Sequence, residues 1–318
     1  MISFMKEKLV ASIIIIMGCI LIGFLSVQAE QQMTISTGSL GGTFFPIGTG
    51  IAYIIKNNVE GVNVIAEQSG GARENTFLVS DKKTDFGITN PDLAYYAYHG
   101  IENYENKLNI VAIGSLHGST FQIITLPGSG IKSVEDMRGK PIAIGPAGSG
   151  SNNITQIVLQ AYGLSMNDIV PSYLGQTDGV TALKDGRVKA VAVLAGRPTA
   201  SLLELRATRK FEIVEISNSI LDKVESEKPY FKHTTVPSSV YDLDEDYGGL
   251  ETLNVLITHP SLDKDFIYNV TKAIYENLDV LADYHVVAKS IKLDSAAKVP
   301  IPLHPGAEKY FKEKGMLP

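Results

Sequence analysis

The chain of 318 residues contains no tryptophan and a single cysteine, Cys19. One cysteine cannot close an intramolecular disulfide, and it excludes a thiol redox pair or a cysteine-built zinc centre. Basic blocks are also missing: 28 Lys+Arg stand against 34 Asp+Glu, a net charge of −6. That balance argues against nucleic acid as a partner. Catalytic signatures are equally scarce. No Gly-Lys-Ser/Thr follows either of two glycine-rich turns, and Gly145-x-x-Gly148-x-Gly150 is not the dinucleotide-binding order. Neither His-Glu-x-x-His nor Gly-x-Ser-x-Gly occurs, and the six histidines lack metal-ligand spacing. His304, between two prolines, reads as a turn residue. Asp242, Asp244 and Asp246 alternate like the start of a calcium loop, but Tyr247 and Leu253 stand where glycine and glutamate are needed. A solvated acidic loop is expected there. The chain is therefore read as a non-enzyme with no cofactor and no metal.

Long apolar runs are confined to the start. Lys6 and Lys8 precede an uncharged, largely apolar stretch at residues 9–25, and Val27-Gln-Ala29 offers a small-residue cleavage site. Residues 1–29 are expected to be a signal peptide, which places the mature protein in the periplasm or on the outer face of the cytoplasmic membrane. An uncleaved anchor and lipidation at Cys19 are the alternatives; lipidation would leave residues 20–25 as an apolar start of the mature chain. Cleavage removes Lys6, Glu7 and Lys8 and takes the net charge from −6 to −7.

What remains is long enough for two domains without disulfides. Short β-branched runs alternate with segments of helical period, the pattern of an α/β protein with largely parallel sheets. Strands are expected at residues 33–37, 62–67, 85–89, 108–115, 121–126, 141–144, 169–174, 190–195, 211–216 and 253–258. Helices are expected at 46–58, 69–78, 91–98, 152–162, 177–184, 198–207, 263–282 and 305–314. No linker separates the halves, so extended crossovers are expected near residues 117–121 and 232–237. The expected lobes are 30–120 with 233–318, and 121–232, with a ligand cleft between them.

The two glycine-rich turns, Gly38-Ser-Leu-Gly-Gly-Thr-Phe-Phe-Pro46 and Gly145-Pro-Ala-Gly-Ser-Gly-Ser-Asn152, each link an apolar run to a helix. A helix start presents unpaired N–H groups and about half a positive charge, which attracts an anion. Paired turns in a chain without catalytic machinery suggest a pocket that holds a small acid from both sides. Thr43 is placed to cap its helix or to face the ligand, with Phe44 and Phe45 as core or cover. Ser149, Ser151 and Asn152 repeat the choice in the second turn. Arg73 stands in a helix's first turn, where a cation opposes the dipole, and Arg197 precedes the helix-starting Pro198; both are candidate clamps. Asn90 and Gln176 follow strands, where strand ends meet a cleft. Helix starts supply about 0.3–1 kcal/mol each, whereas micromolar affinity needs roughly 8 kcal/mol. Several direct hydrogen bonds of about 1.5–3 kcal/mol each to a charged ligand, or one arginine clamp, must supply the difference.

Several segments together resemble the TAXI family, the extracytoplasmic solute-binding subunits of TRAP transporters. They are Gly41-Gly-Thr-Phe-Phe-Pro-Ile-Gly48, Gly148-Ser-Gly-Ser151, Gly196-Arg-Pro198 and, most specifically, Pro302-Leu-His-Pro-Gly-Ala-Glu-Lys-Tyr-Phe-Lys-Glu-Lys-Gly315. The resemblance covers essentially the whole mature chain. It implies a type II periplasmic-binding-protein fold whose lobes close on a small carboxylate such as glutamate or 2-oxoglutarate. It further implies a monomer that delivers its ligand to sodium-driven membrane permease subunits. Binding residues carry over to the turn around Thr43, to Ser69, Gly70 and Gly71, and to Ser149–Asn152. Where the family commonly has tyrosines this chain has Phe44 and Phe45, which removes two hydroxyls. Arg73 and Arg197 fall at variable family positions and would be local specificity determinants. A ligand-sensing module that signals to a membrane partner through the same lobes is the alternative function.

Overall fold

Two strands of unusual length organise the molecule: β4 (Val111–Thr125) and β10 (Tyr247–Thr258). The computed structural model describes residues 30–318, so the expected signal peptide and Cys19 lie outside the described residues. The other strands are β1 (Gln31–Ser36), β2 (Val62–Glu67), β3 (Phe86–Thr89), β5 (Pro141–Ala143), β6 (Val170–Ser172), β7 (Ala190–Ala195), β8 (Glu212–Ile213) and β9 (Lys232–Val236). Their order is β2-β1-β3-β10-β4-β7-β5-β6, with β8 on β4 and β9 on β10.

The long strands change partners midway. β10 pairs with β3 over Val255–Thr258 and with β9 over Tyr247–Glu251. β4 pairs with β10 along most of its length, then takes β7 over Thr120–Thr125. Each long strand thus serves two lobes. Ile113 and Leu116 of β4 and Leu256 of β10 belong to one core, and Phe121, Ile123 and Leu250 to another. The strands expected at 108–115 and 121–126 are one continuous strand, and the extended crossover expected near 117–121 lies within it, residues 118–121 staying paired to β10. The sheet is also less parallel than expected. β1–β3, β5–β6 and β5–β7 are parallel, but pairings of β4 and β10 are antiparallel, since these strands run between lobes.

The helices are α1 (Phe44–Asn58), α2 (Ala72–Ser80), α3 (Pro91–His99), α4 (Gly150–Ala161), α5 (Gln176–Lys184), α6 (Ala200–Thr208), α7 (Asn218–Glu227), α8 (Lys264–Tyr275), α9 (Leu278–Tyr284), α10 (Leu293–Ala296) and α11 (Pro305–Glu313). α1 buries Ile47, Ile51, Ile54 and Ile55 against Met33, Ile35 and Ile88. α4 does the same in the second lobe with Ile154 and Val158 against Ile142 and Ile144. Such apolar faces, at roughly 1.5–3 kcal/mol per fully buried aliphatic side chain, fix each helix to its sheet. The single helix expected at 263–282 is two. The Asn277 side chain turns back to the Ala273 carbonyl (2.8 Å), ending α8 and opening α9.

His304 is more than a turn residue. It is 1% exposed and caps α11, with Nδ1 accepting from the Gly306 N–H (3.2 Å) and Nε2 donating to the Leu262 carbonyl (3.0 Å). At Gly306 a Cβ would strike the Lys264 carbonyl. The Pro302–Gly315 stretch is thus a docking motif for the last helix, far in kind from ligand chemistry.

Candidate functional site

Both glycine-rich turns open onto one cavity. Its walls come from the first turn (Gly38, Ser39, Gly42, Thr43, Phe44), from Gly70–Ala72, from Asn90 and from the second turn (Gly145, Pro146, Ser149–Ser151). Leu174–Gln176 and Val191–Leu194 complete it. Caps or first residues of α1, α2, α3, α4 and α5 therefore surround a single space. Among the described residues no Lys, Arg, Asp or Glu lines it. The volume is about 60 Å³, room for roughly two waters at ~30 Å³ each.

Eight of the expected site residues meet there: Thr43, Phe44, Gly70, Gly71, Asn90, Ser149, Ser151 and Gln176. Five do not line it. Ser69 sits behind, donating to Asn75 Oδ1 (2.6 Å) and accepting from the Gly71 N–H (3.1 Å), so it shapes the turn. Phe45, the second residue of α1, is not among the lining residues. Asn152 and Arg73 line a neighbouring polar cavity with Asn103, Asn153 and Gln156. The Arg73 guanidinium donates to the Asn103 carbonyl (2.6 Å) and lies over the Phe77 and Tyr104 rings at 5.4 and 5.3 Å. Those partners resolve the conflict between a cation and the helix dipole by carrying the charge off the axis. Arg197 pairs with Glu251 at 2.8 Å.

Thr43 differs from its expected capping role. Its side chain makes no cap bond; Oγ1 accepts from the Gly196 N–H (3.0 Å) and meets His117 Nε2 at 3.3 Å. It thereby ties the start of α1 to the end of β7. Burial drives the His117 pKa down to about 3, which keeps the ring neutral beside the cavity wall. Phe44 stands edge-on to that ring at 6.2 Å. Ser149 does cap α4, accepting from the Asn152 N–H (3.1 Å), and Ser151 Oγ accepts from the Leu194 N–H (2.9 Å).

The walls are in contact across the cavity. The Gly148 carbonyl accepts from the Arg73 and Glu74 N–H groups at 2.8 and 3.3 Å, filling the start of α2. Ser39 Oγ accepts from the Gln176 N–H (3.2 Å), and Thr177 Oγ1 donates to the Leu40 carbonyl (3.0 Å). Gly71 has φ +107°, open to glycine but strained for other residues, and a Cβ there would lie 3.2 Å from Ser149 Cα. By contrast, among the described residues the N–H groups of Thr43, Phe44, Gly150 and Ser151 meet no protein acceptor. Two helix starts, α1 and α4, remain open to an anion from opposite walls.

Several contributors to the site were not among the expected residues. Ser39 lay inside the first turn and was readable. Residues 191–194 carry only apolar side chains, so nothing marked them as lining. Asn254 interrupts an apolar strand, a signal that could have been used. It is fully buried at the register shift between Leu253 and Val255, and it holds His117, Ser119 and Asn90 together.

Residues 35–315 match the family described as NMT1-like. Among curated proteins, an Escherichia coli (strain K12) protein named for binding aliphatic sulfonates is 35% identical over 82 residues. That match covers 26% of this chain and about a quarter (25%) of the relative's length. Among solved structures, MatC from Rhodopseudomonas palustris with bound malate superposes with a TM-score of 0.56 at 13% identity, covering 89% of this chain and 97% of that one. A Xanthomonas citri protein bound to ATP gives 0.50 at 11% identity, covering 90% and 97%. These likenesses are of fold alone, a two-lobed α/β architecture. Among the described residues no helix is long and apolar enough to cross a membrane, and no cluster of His, Cys, Asp or Glu could hold a metal ion.

Proposed function

The chain belongs to the NMT1-like family, and from that premise we propose that it is the extracytoplasmic solute-binding component of a membrane transporter, holding a small carboxylate in the cavity between its lobes. The observation that carries this reading is the convergence of five helix starts on a cavity lined by no ionic side chain, with four N–H groups of α1 and α4 lacking a protein acceptor. Such a space stabilises a negative charge without needing a counter-ion. The two open helix starts, α1 and α4, contribute on the order of 0.6–2 kcal/mol to a nearby anion. Direct bonds from the Thr43, Phe44, Gly150 and Ser151 N–H groups add about 1.5–3 kcal/mol each before association costs.

The finer reading is a TAXI-type subunit of a TRAP transporter, taking an acid such as glutamate or 2-oxoglutarate and passing it to sodium-driven permease subunits. The binding residues are Thr43, Phe44, Gly70, Gly71, Asn90, Ser149, Ser151 and Gln176, with Ser69 and Asn152 supporting the turns. Since the cavity holds only a few waters, even a four- or five-carbon acid requires the walls to part slightly, as two lobes joined by β4 and β10 allow.

A second reading has an observation in its favour. The 82-residue match to a protein named for sulfonate binding makes an alkanesulfonate the competing anion, and helix starts suit either charge. Calorimetric titration of the purified chain with amino acids, dicarboxylates, oxo-acids and alkanesulfonates separates them. A micromolar ligand at millimolar concentration also adds about 4 kcal/mol to unfolding stability. Stabilisation by sulfonates and by no carboxylate sinks the carboxylate reading.

A further inference from the structure

The cavity presents one hydrogen-bond acceptor whose identity is fixed by the groups behind it. Asn254 Nδ2 lies 2.7 Å from the His117 carbonyl, which can only accept, so the Asn254 amide has one orientation. Its Oδ1 then faces Asn90 and accepts from Asn90 Nδ2 at 2.9 Å. The Asn90 amide is oriented in turn, and its Oδ1 is left on the cavity side. Asn90 is 2% exposed, and this oxygen has no partner. It abuts Gly150, where a Cβ would collide with it, at the open start of α4.

A buried acceptor without a donor is costly. Around it the wall supplies donors for an anion, so the missing group is an N–H or O–H on the ligand itself. The acceptor adjoins the α4 start that would hold the carboxylate, so that donor must sit within one or two bonds of the carboxylate carbon. We propose that Asn90 is a specificity-determining residue that selects acids carrying a hydroxyl or amino group on the carbon next to the carboxylate over the matching 2-oxo acids. This rests on the carboxylate reading given above. A 2-oxo group offers a second acceptor to Asn90 Oδ1 and meets it with lone pair against lone pair. An unsubstituted acid leaves it unpaired.

The test is calorimetric titration of the purified protein with four acids of one length: 2-hydroxyglutarate, glutamate, 2-oxoglutarate and glutarate. The hydroxy or the amino acid is expected to bind at least tenfold tighter than both the oxo and the unsubstituted acid. Asn90→Leu is expected to bring the four within about twofold of one another. Tighter or equal binding of 2-oxoglutarate by the natural protein overturns the role of Asn90 while leaving the carboxylate reading intact. Binding of none of the four, with an alkanesulfonate bound instead, overturns both. Preference retained in a folded Asn90→Leu protein assigns selection elsewhere and overturns the proposal. Because the natural protein alone supplies the first comparison, a variant that fails to fold does not remove the test.

Discussion

Replacing Thr43 with valine removes one hydroxyl and keeps the shape of the side chain. Thr43 is 2% exposed, and its Oγ1 is the partner of the Gly196 N–H at 3.0 Å and of His117 Nε2 at 3.3 Å. His117 Nδ1 already lacks a partner, so valine leaves the imidazole with none and strands a buried backbone donor as well. Each stranded group costs about 1–3 kcal/mol. The expected loss for Thr43→Val is thus about 2–6 kcal/mol, a fall in Tm of about 4–24 °C for a chain this size. Thr43→Ser keeps the oxygen and loses a buried methyl, for about 1 kcal/mol. Denaturant unfolding of both variants, followed by circular dichroism, gives the comparison. Serine should be the milder change although it removes packing. If valine is as stable as the natural protein, or if serine is the worse of the two, the tie between α1 and β7 is not a hydrogen-bonded one and the reasoning fails.

Other variants probe the same wall. Asp92 is buried, its pKa raised by desolvation to about 6, and its Oδ2 accepts from Asn153 Nδ2 at 2.7 Å. Its contribution to stability is fully present below about pH 4 and is lost as pH rises through 6, on the order of 3 kcal/mol for a shift of about two units. His117, with a lowered pKa, acts in the opposite sense: its contribution is present above pH 6.5 and falls away toward pH 3. Subtracting the pH–stability curve of Asp92→Asn from that of the natural protein should therefore isolate a slope confined to pH 4–6; a flat difference refutes the assignment. Gly150→Ala drives a methyl into the buried, hydrogen-bonded Asn90 amide, and should cut ligand affinity at least about tenfold at a cost of about 1–3 kcal/mol in unfolding stability. Unchanged affinity by calorimetry would falsify the placement of the site. Arg73→Ala and Arg197→Ala are expected to leave affinity within about threefold, since screened charges outside the cavity act weakly; a tenfold loss in either would show that its side chain swings onto the ligand.

Periodicity revealed the element order because apolar faces must be buried whatever the tertiary arrangement. Ile47, Ile51, Ile54 and Ile55 could only be one face of a helix. It marked residues 117–121 as an extended crossover, but not that they continue one strand that changes partners midway, because strand partners are not a local property. The arginines show the same limit. Arg73 in a first turn is an electrostatic anomaly in the sequence, and it took Phe77, Tyr104 and the Asn103 carbonyl, brought close by α2 packing beside the 103–104 loop, to resolve it. The histidine at 304 looked idle because its two partners, Gly306 and Leu262, become visible only when α11 docks.

The sequence by itself determined the two glycine-rich turns and the helices they open, because glycine tolerance, capping and helical period are local properties of the chain. It also determined the most distinctive segment, Pro302–Gly315, without disclosing that this is a packing device. Only the tertiary structure decided that five helix starts share one cavity and that Thr43 is a tie to Gly196 rather than a cap. It alone turned the Asn90 acceptor inward. That orientation depends on Asn254 and the His117 carbonyl, groups 164 and 27 residues away in the chain. Hydrogen-bond direction in a buried network is set by whichever partner has no choice, and that partner is known only once the strands have paired.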